Sequence, residues 1–262
     1  MQSMPVVTLD QLENWIGAAF WPFVRVGACL MVAPLFGASY VPRRLRIVIA
    51  LAVTVVLLPV IPPATGLTLL SADGIVTTAQ QVVIGVAMGF TLQLMFDALT
   101  LGGQLLANAM GLGFAFTIDP LRAVTTQSLG QLYVLLGTLT FLALNGHIAL
   151  IETLATSFQT LPVGPQGLAP SALHAIANWG SVMLLGAVRI ALPGLTALLV
   201  INLAFGVTSR AAPALNLFAV GFPITLALGL LVVLLSLPSM QSGLIEMLGS
   251  AFQFLGALGG AR

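Results

Sequence analysis

Apolar runs long enough to cross a membrane, separated by short polar turns, leave this chain few ways to fold. Inside a bilayer every backbone N–H and C=O must be satisfied within the protein, so runs of about 20 apolar residues become helices. Such runs cover Trp15 to Ser39, Leu45 to Ile61, Ile75 to Leu101, Leu129 to Phe158, Trp179 to Thr208 and Leu215 to Leu237. Composition agrees: 59% of residues are hydrophobic and 6% charged, and mean hydropathy is +1.11, outside the range of soluble domains. The chain therefore reads as an all-α integral membrane protein of helical hairpins, a single domain over 1–262. Its hairpin regions fall at about 1–74, 75–160 and 178–238, with an amphipathic tail at 239–262.

Details of the runs sharpen this picture. Trp15 and Trp21 are placed as interface anchors, and Asp10 and Glu13 stand where a removable signal peptide would be basic, so the first segment is expected to be retained. Pro34, Pro193 and Pro223 lie inside runs and predict kinked or broken helices. Thr160 to Asn178 reads as a polar, proline-bearing loop, and Asn145-Gly146-His147 sits where a helix bends. Leu244, Met247, Leu248, Phe252, Leu255 and Leu258 recur at helical spacing and predict a tail helix lying on a surface.

One stretch departs from an ordinary span. Gly102 to Pro120 reads GGQLLANAMGLGFAFTIDP, with Gly102, Gly103, Gly111 and Gly113 within a dozen residues. Glycine costs about 1 kcal/mol relative to alanine inside a helix, so close backbone approach, a hairpin or a bent loop is required to explain it. Asp119-Pro120 ends the stretch. Arginine counts bear on its path: with Asp10 outside, Arg43, Arg44, Arg46, Arg122 and Arg210 all fall inside only if Ile75 to Pro120 makes one net crossing. The stretch is therefore predicted to be re-entrant or a short hairpin. A Gly85-x-x-x-Gly89 step marks another close approach.

If the helix entering this stretch runs past Gly102, then Gln93, Asp97, Thr100, Gln104 and Asn108 share a stripe roughly 80° wide. Amides and one acid in such a stripe either bind neighbouring helices or line a watery path. Arg25, Asp97, Glu152 and Arg189 are charges within apolar segments and must be paired or wet; Arg25 with Asp97 and Arg189 with Glu152 would balance. His147 reads as a packing or capping residue and Cys29 as a small buried hydrophobe.

No catalytic constellation emerges. Lysine is absent, which removes a phosphate loop ending in Lys, and there is no H-E-x-x-H pair. Cys29 lacks a suitable nearby histidine. No enzymatic activity, cofactor or metal is expected, and a net charge of +1 gives no reason to expect nucleic acid as a partner.

Several motifs follow in order: Phe20-Trp21-Pro22-x-x-Arg25-Val26, Ala33-Pro34-Leu35-Phe36, Val41-Pro42, Gly111-x-Gly113-Phe114-Ala115 leading to Asp119-Pro120, Leu144-Asn145-Gly146-His147 and Ala191-Leu192-Pro193. Asn202-Leu203-Ala204-x-Gly206 and Arg210-x-x-Pro213-x-Leu215-Asn216-x-Phe218-x-x-Gly221-Phe222-Pro223 complete the set. In order and spacing the set resembles the FliR/SctT family of the type III export apparatus, in its flagellar branch. The resemblance implies part of a hetero-oligomeric helical export gate in the bacterial inner membrane, at the flagellar basal body. It implies assembly with several copies of FliP and FliQ, a neighbouring FlhB, contact with membrane lipid, and passage of unfolded export substrates. It also implies that the loop Gly111 to Leu121 helps plug the channel, making Gly111, Gly113, Phe114, Phe116, Asp119 and Pro120 its residues. Family members usually carry Gly-Glu where this chain has Gly103-Gln104. The alternative from another class is a secondary transporter or channel for a small solute.

Overall fold

The computed structural model describes residues 9–38, 40–63, 67–112, 128–211 and 217–258. Among them every regular element is a helix: α1 (Leu9–Val32), α2 (Arg43–Leu57), α3 (Ala72–Ala109), α4 (Ser128–Ala143), α5 (Gly146–Thr160), α6 (Pro170–Ala211) and α7 (Leu217–Leu258). The all-α expectation holds. Ala72–Ala109, Pro170–Ala211 and Gly221–Leu258 are each long and apolar enough to span a membrane.

Lengths separate the helices into two kinds. At 1.5 Å per residue, α3 with 38 residues is about 57 Å long, against about 30 Å for a bilayer core. The 15 residues of α2 reach only about 22 Å, so Leu45 to Ile61, predicted as a span, is too short for one. Between Ile75 and Ala109 the backbone never turns back, consistent with one net crossing over that length. Gly102 to Ala109 is accordingly helix, not a bent loop.

The predicted break at Asn145 is present. α4 and α5 are each too short to cross a membrane alone and meet at a bend of 67°, so Leu129 to Phe158 is not one straight crossing. Asn145 takes φ 55°, a left-handed conformation that asparagine tolerates better than most residues. The prolines behave otherwise: Pro193 is carried inside α6, and Pro223 and Pro238 inside α7, without ending either helix. Pro170 opens α6, where its missing N–H costs nothing. The polar loop predicted to run to Asn178 therefore ends at Ala169.

The chain packs as two compact units, each discontinuous in sequence. Met1–Gln93, Leu144–Trp179 and Ser250–Arg262 form the first; Leu94–Ala143 and Gly180–Gly249 form the second. In the first, α1 lies against α3 at the predicted Gly85-x-x-x-Gly89 step. A Cβ on Gly89 would stand 2.5 Å from the Cys29 carbonyl oxygen and 2.9 Å from the Ala33 nitrogen. Trp21, expected at the membrane interface, is instead fully buried and donates from Nε1 to Thr78 Oγ1 at 3.2 Å. Cys29 is buried as expected.

In the second unit the later half of α3 meets α4, α6 and α7. Gly103 and Gly130 bring backbone against backbone: a Cβ on Gly103 would lie 2.7 Å from the Gly130 Cα. Phe96 and Phe141 stack edge to face at 5.8 Å. The tail is not a separate element. It continues α7: Leu244, Met247 and Leu248 are buried in the second unit, and in the first unit Leu255 and Leu258 are buried and Phe254 stacks on Trp179 at 4.3 Å. The apolar face predicted to lie on a surface is occupied by the chain itself.

Gly103 supplies a direct test of this packing. Three backbone atoms of Leu129 and Gly130 surround its would-be Cβ, so Gly103→Ala must separate two helices and is expected to cost about 1–3 kcal/mol. Gly249→Ala meets nothing within 4 Å and should gain up to about 1 kcal/mol from helix propensity. Denaturation midpoints in detergent measure both; a shift in the same direction for the two would contradict the packing described.

Candidate functional site

Among the described residues the most buried charge is Arg25 on α1, with no exposed surface. Its guanidinium donates from Nε to Gln81 Oε1 at 2.7 Å, from Nη1 to the Ser157 carbonyl at 2.9 Å and Ser157 Oγ at 3.1 Å, and from Nη2 to the Leu161 carbonyl at 2.8 Å. Phe158 lies beneath it, with the ring centroid 4.2 Å from the guanidinium carbon. The expected partner Asp97 is not among these acceptors, all of which are neutral. The physical reason is the end of α5, where the negative end of the helix dipole lies: the Ser157 carbonyl, which also takes the Leu161 N–H at 2.9 Å, and the Leu161 carbonyl just past the helix both face the guanidinium. A planar fork reaches both of them at once, which lysine could not. Arg25 thus ties α1, α3 and α5 together.

Arg189 also departs from expectation. It pairs with Glu246 of α7 at 3.5 Å, not with Glu152, and the two side chains are 74% and 72% exposed. Glu152 is exposed on α5. An ion pair this open contributes little to stability.

Because α3 is continuous through Ala109, Gln93, Asp97, Thr100, Gln104 and Asn108 do share one face. Leu92, Met95, Leu99 and Leu106 are fully buried, whereas Gln93, Asp97, Thr100 and Gln104 are half-buried and Asn108 is exposed. Gly130 of α4 sits beside the stripe, its would-be Cβ 3.0 Å from the Thr100 carbonyl and 3.6 Å from Gln104 Cγ. Gln104, where the resemblance leads one to expect glutamate, therefore lies on the α3–α4 seam. Among the described residues no group of His, Cys, Asp and Glu side chains could hold a metal ion.

The glycine-rich stretch ends α3 in a defined way. Met110 N–H donates to the Leu106 carbonyl at 2.9 Å and Gly111 N–H to the Asn108 carbonyl at 3.0 Å, tightening the last turn. Gly111 has φ 81°, a conformation that a side chain would strain. Met110 is fully buried, with its Cγ and Cε 2.6 Å from where a Cβ on Gly229 would stand. From α6, Asn202 Nδ2 donates to the Ala109 carbonyl at 3.0 Å. Gly113, Phe114, Phe116, Asp119 and Pro120 lie outside the described residues. Asn202 carried no role in the sequence reading beyond membership of a motif, because its acceptor is a backbone atom far away in the chain.

Residues 16–251 match the family described as bacterial export proteins, family 1. The chain belongs to that family. This export protein is 37% identical over 224 residues to the flagellar biosynthetic protein FliR of Escherichia coli K12, covering 86% of this chain and 85% of that one. It is 37% identical over 227 residues to FliR of Pectobacterium carotovorum, at 87% of each chain. Against FliR of Aquifex aeolicus it is 32% identical over 227 residues, at 86% of this chain and 87% of the other. The family match contains Arg25, the whole of α3 and Asn202, so the features described above belong to the shared part of this export protein.

Replacing Arg25 tests its staple. Arg25→Met leaves the Leu161 carbonyl and Gln81 Oε1 without the donor described and is expected to lose about 3 kcal/mol; Arg25→Lys should recover less than half of it. Denaturant titration in detergent reads the loss, and a methionine variant as stable as the parent would remove the staple from the account.

Proposed function

We propose that this export protein is a core, non-enzymatic subunit of the flagellar protein-export gate, in the bacterial inner membrane at the flagellar basal body. The observation that carries the proposal is the end-to-end similarity to flagellar FliR proteins, 37% identity with at least 85% of each chain covered. The chain assembles with several copies of FliP and FliQ beside FlhB, and unfolded flagellar proteins are the cargo.

The end of α3 supports a closing role for the loop Gly111 to Leu121. Its first residue follows a buried methionine and sits at a conformation suited to glycine, so the loop departs from a fixed point. Phe114 and Phe116 are large and apolar, and an apolar constriction stops water and ions by dewetting. Glycines at 111 and 113 let the same loop yield to a polypeptide. The apolar faces that α6 and α7 leave open, with Leu199 69%, Leu203 68% and Leu235 71% exposed, suit contact with other subunits and lipid.

Two measurements test the proposal. Co-expression should yield a complex with FliP and FliQ; a monodisperse, solute-binding protein purified alone would favour a small-solute transporter instead. Deleting Phe114 to Thr117 from the assembled gate should increase ion leakage across the membrane, and unchanged leakage would remove the closing role.

A further inference from the structure

We propose that Thr77 and Gln81 of α3 hold a buried water molecule between them, which carries the Arg25 cluster one helical turn further along α3. Both side chains are fully buried, and neither Thr77 Oγ1 nor Gln81 Nε2 has a hydrogen-bond partner within the chain. An unpartnered polar atom in an apolar interior is destabilising, so two of them on one face of one helix call for a shared partner.

The surroundings close the other outlets for these atoms. Gln81 Oε1 accepts from Arg25 Nε at 2.7 Å. Turning the amide over would set its own N–H groups against that of Arg25, so its orientation is fixed and its donors must be met elsewhere. Of the four threonines on α3, Thr78, Thr91 and Thr100 donate to the carbonyl four residues back, at 2.8, 2.8 and 3.1 Å. Thr77 makes no such bond.

Spacing and chemistry select the ligand. Residues four apart on a helix share a face with Cβ atoms about 5–6 Å apart, and two hydrogen bonds of about 2.8 Å placed end to end cover that gap. Gln81 Nε2 only donates, whereas the Thr77 hydroxyl donates or accepts. A water accepts from the amide and gives a hydrogen to the hydroxyl oxygen, the kind of position that buried waters take in proteins. An anion would lose its hydration in an apolar interior, a cost that a neutral molecule largely avoids. Arg25 thus holds Gln81, Gln81 holds the water and the water holds Thr77.

Thr77→Val removes the hydroxyl and keeps the shape, and the two residues have similar helix propensity, so the sign of its effect is the test. With the water bridge, the unfolding equilibrium constant of the full chain in detergent is expected to rise about fivefold. Removing a hydroxyl that has no partner would act in the opposite direction, and a variant as stable as the parent or more stable would overturn the proposal. In a Gln81→Leu background the bridge is already lost, so Thr77→Val is expected to add no further loss; a loss of the same size in both backgrounds would overturn the bridge. Exchanging chloride for gluconate is expected to leave the parent's midpoint unchanged, and a midpoint that falls as chloride is removed would replace the water by an anion and overturn the assignment. A density map of the parent protein at a resolution that shows ordered water reads the site directly. A peak within about 3 Å of both atoms is expected, and a direct hydrogen bond from Gln81 to Thr77 without such a peak would overturn it.

Discussion

Contact between backbones along α3 is the constraint on which the rest of the structure depends. Lipid is as apolar as leucine, so nothing equivalent to the hydrophobic effect presses membrane helices together, and close van der Waals packing must do so. Glycine makes that packing possible. At Gly85 and Gly89 the helix lies against the main chain of α1, and at Gly103 against the main chain of α4. The apolar window of α3 is 67% buried, against 33% for α6 and 22% for α7. One helix is thus enclosed by its own chain, and two leave most of their apolar surface for something outside it. That division is what a subunit of a larger membrane assembly requires.

Charge is handled in two contrasting ways. Arg25 is sealed from solvent and satisfied by neutral acceptors, so its partners are geometric: the buried carbonyls at a helix end and an amide, all within hydrogen-bond reach of one planar fork. Arg189 and Glu246 pair in the open. A charge pair on the outside of apolar helices is costly against hydrocarbon, so in the membrane that edge faces protein or water. The open faces of α6 and α7 are therefore not uniform: leucine and valine dominate around Leu199 and Leu235, and an ion pair marks Arg189 and Glu246.

Local features were legible from residues alone. The bend at Asn145, the Gly85-x-x-x-Gly89 contact and the shared face of Gln93 to Asn108 follow from conformational preference and helical period, which act within a few residues. What was not legible depends on distance in the chain. Arg25 finds Ser157 and Leu161 across more than a hundred positions, and charge balance, the only rule available to the sequence, pointed to Asp97. Trp21 was read as an interface anchor because tryptophan is usually one, but Thr78 offers its N–H a buried partner. Pro193 and Pro223 were read as kinking or breaking their helices, and α6 and α7 continue through them without a break. The tail was separated from α7 because its pattern is amphipathic; the face so marked packs on the chain's own residues. Asn202 was visible as part of a motif, but its acceptor is a backbone carbonyl and leaves no mark in the sequence.

The central claim is that the chain emerging from the end of α3 stands in the path of exported protein. A photo-reactive amino acid at Phe114, with an export substrate stalled in the assembled apparatus, tests it most directly. The account predicts a cross-link from position 114 to the stalled substrate and none from Leu199, an exposed apolar position on α6. A stalled substrate that cross-links to other parts of the apparatus but never to position 114 would contradict it.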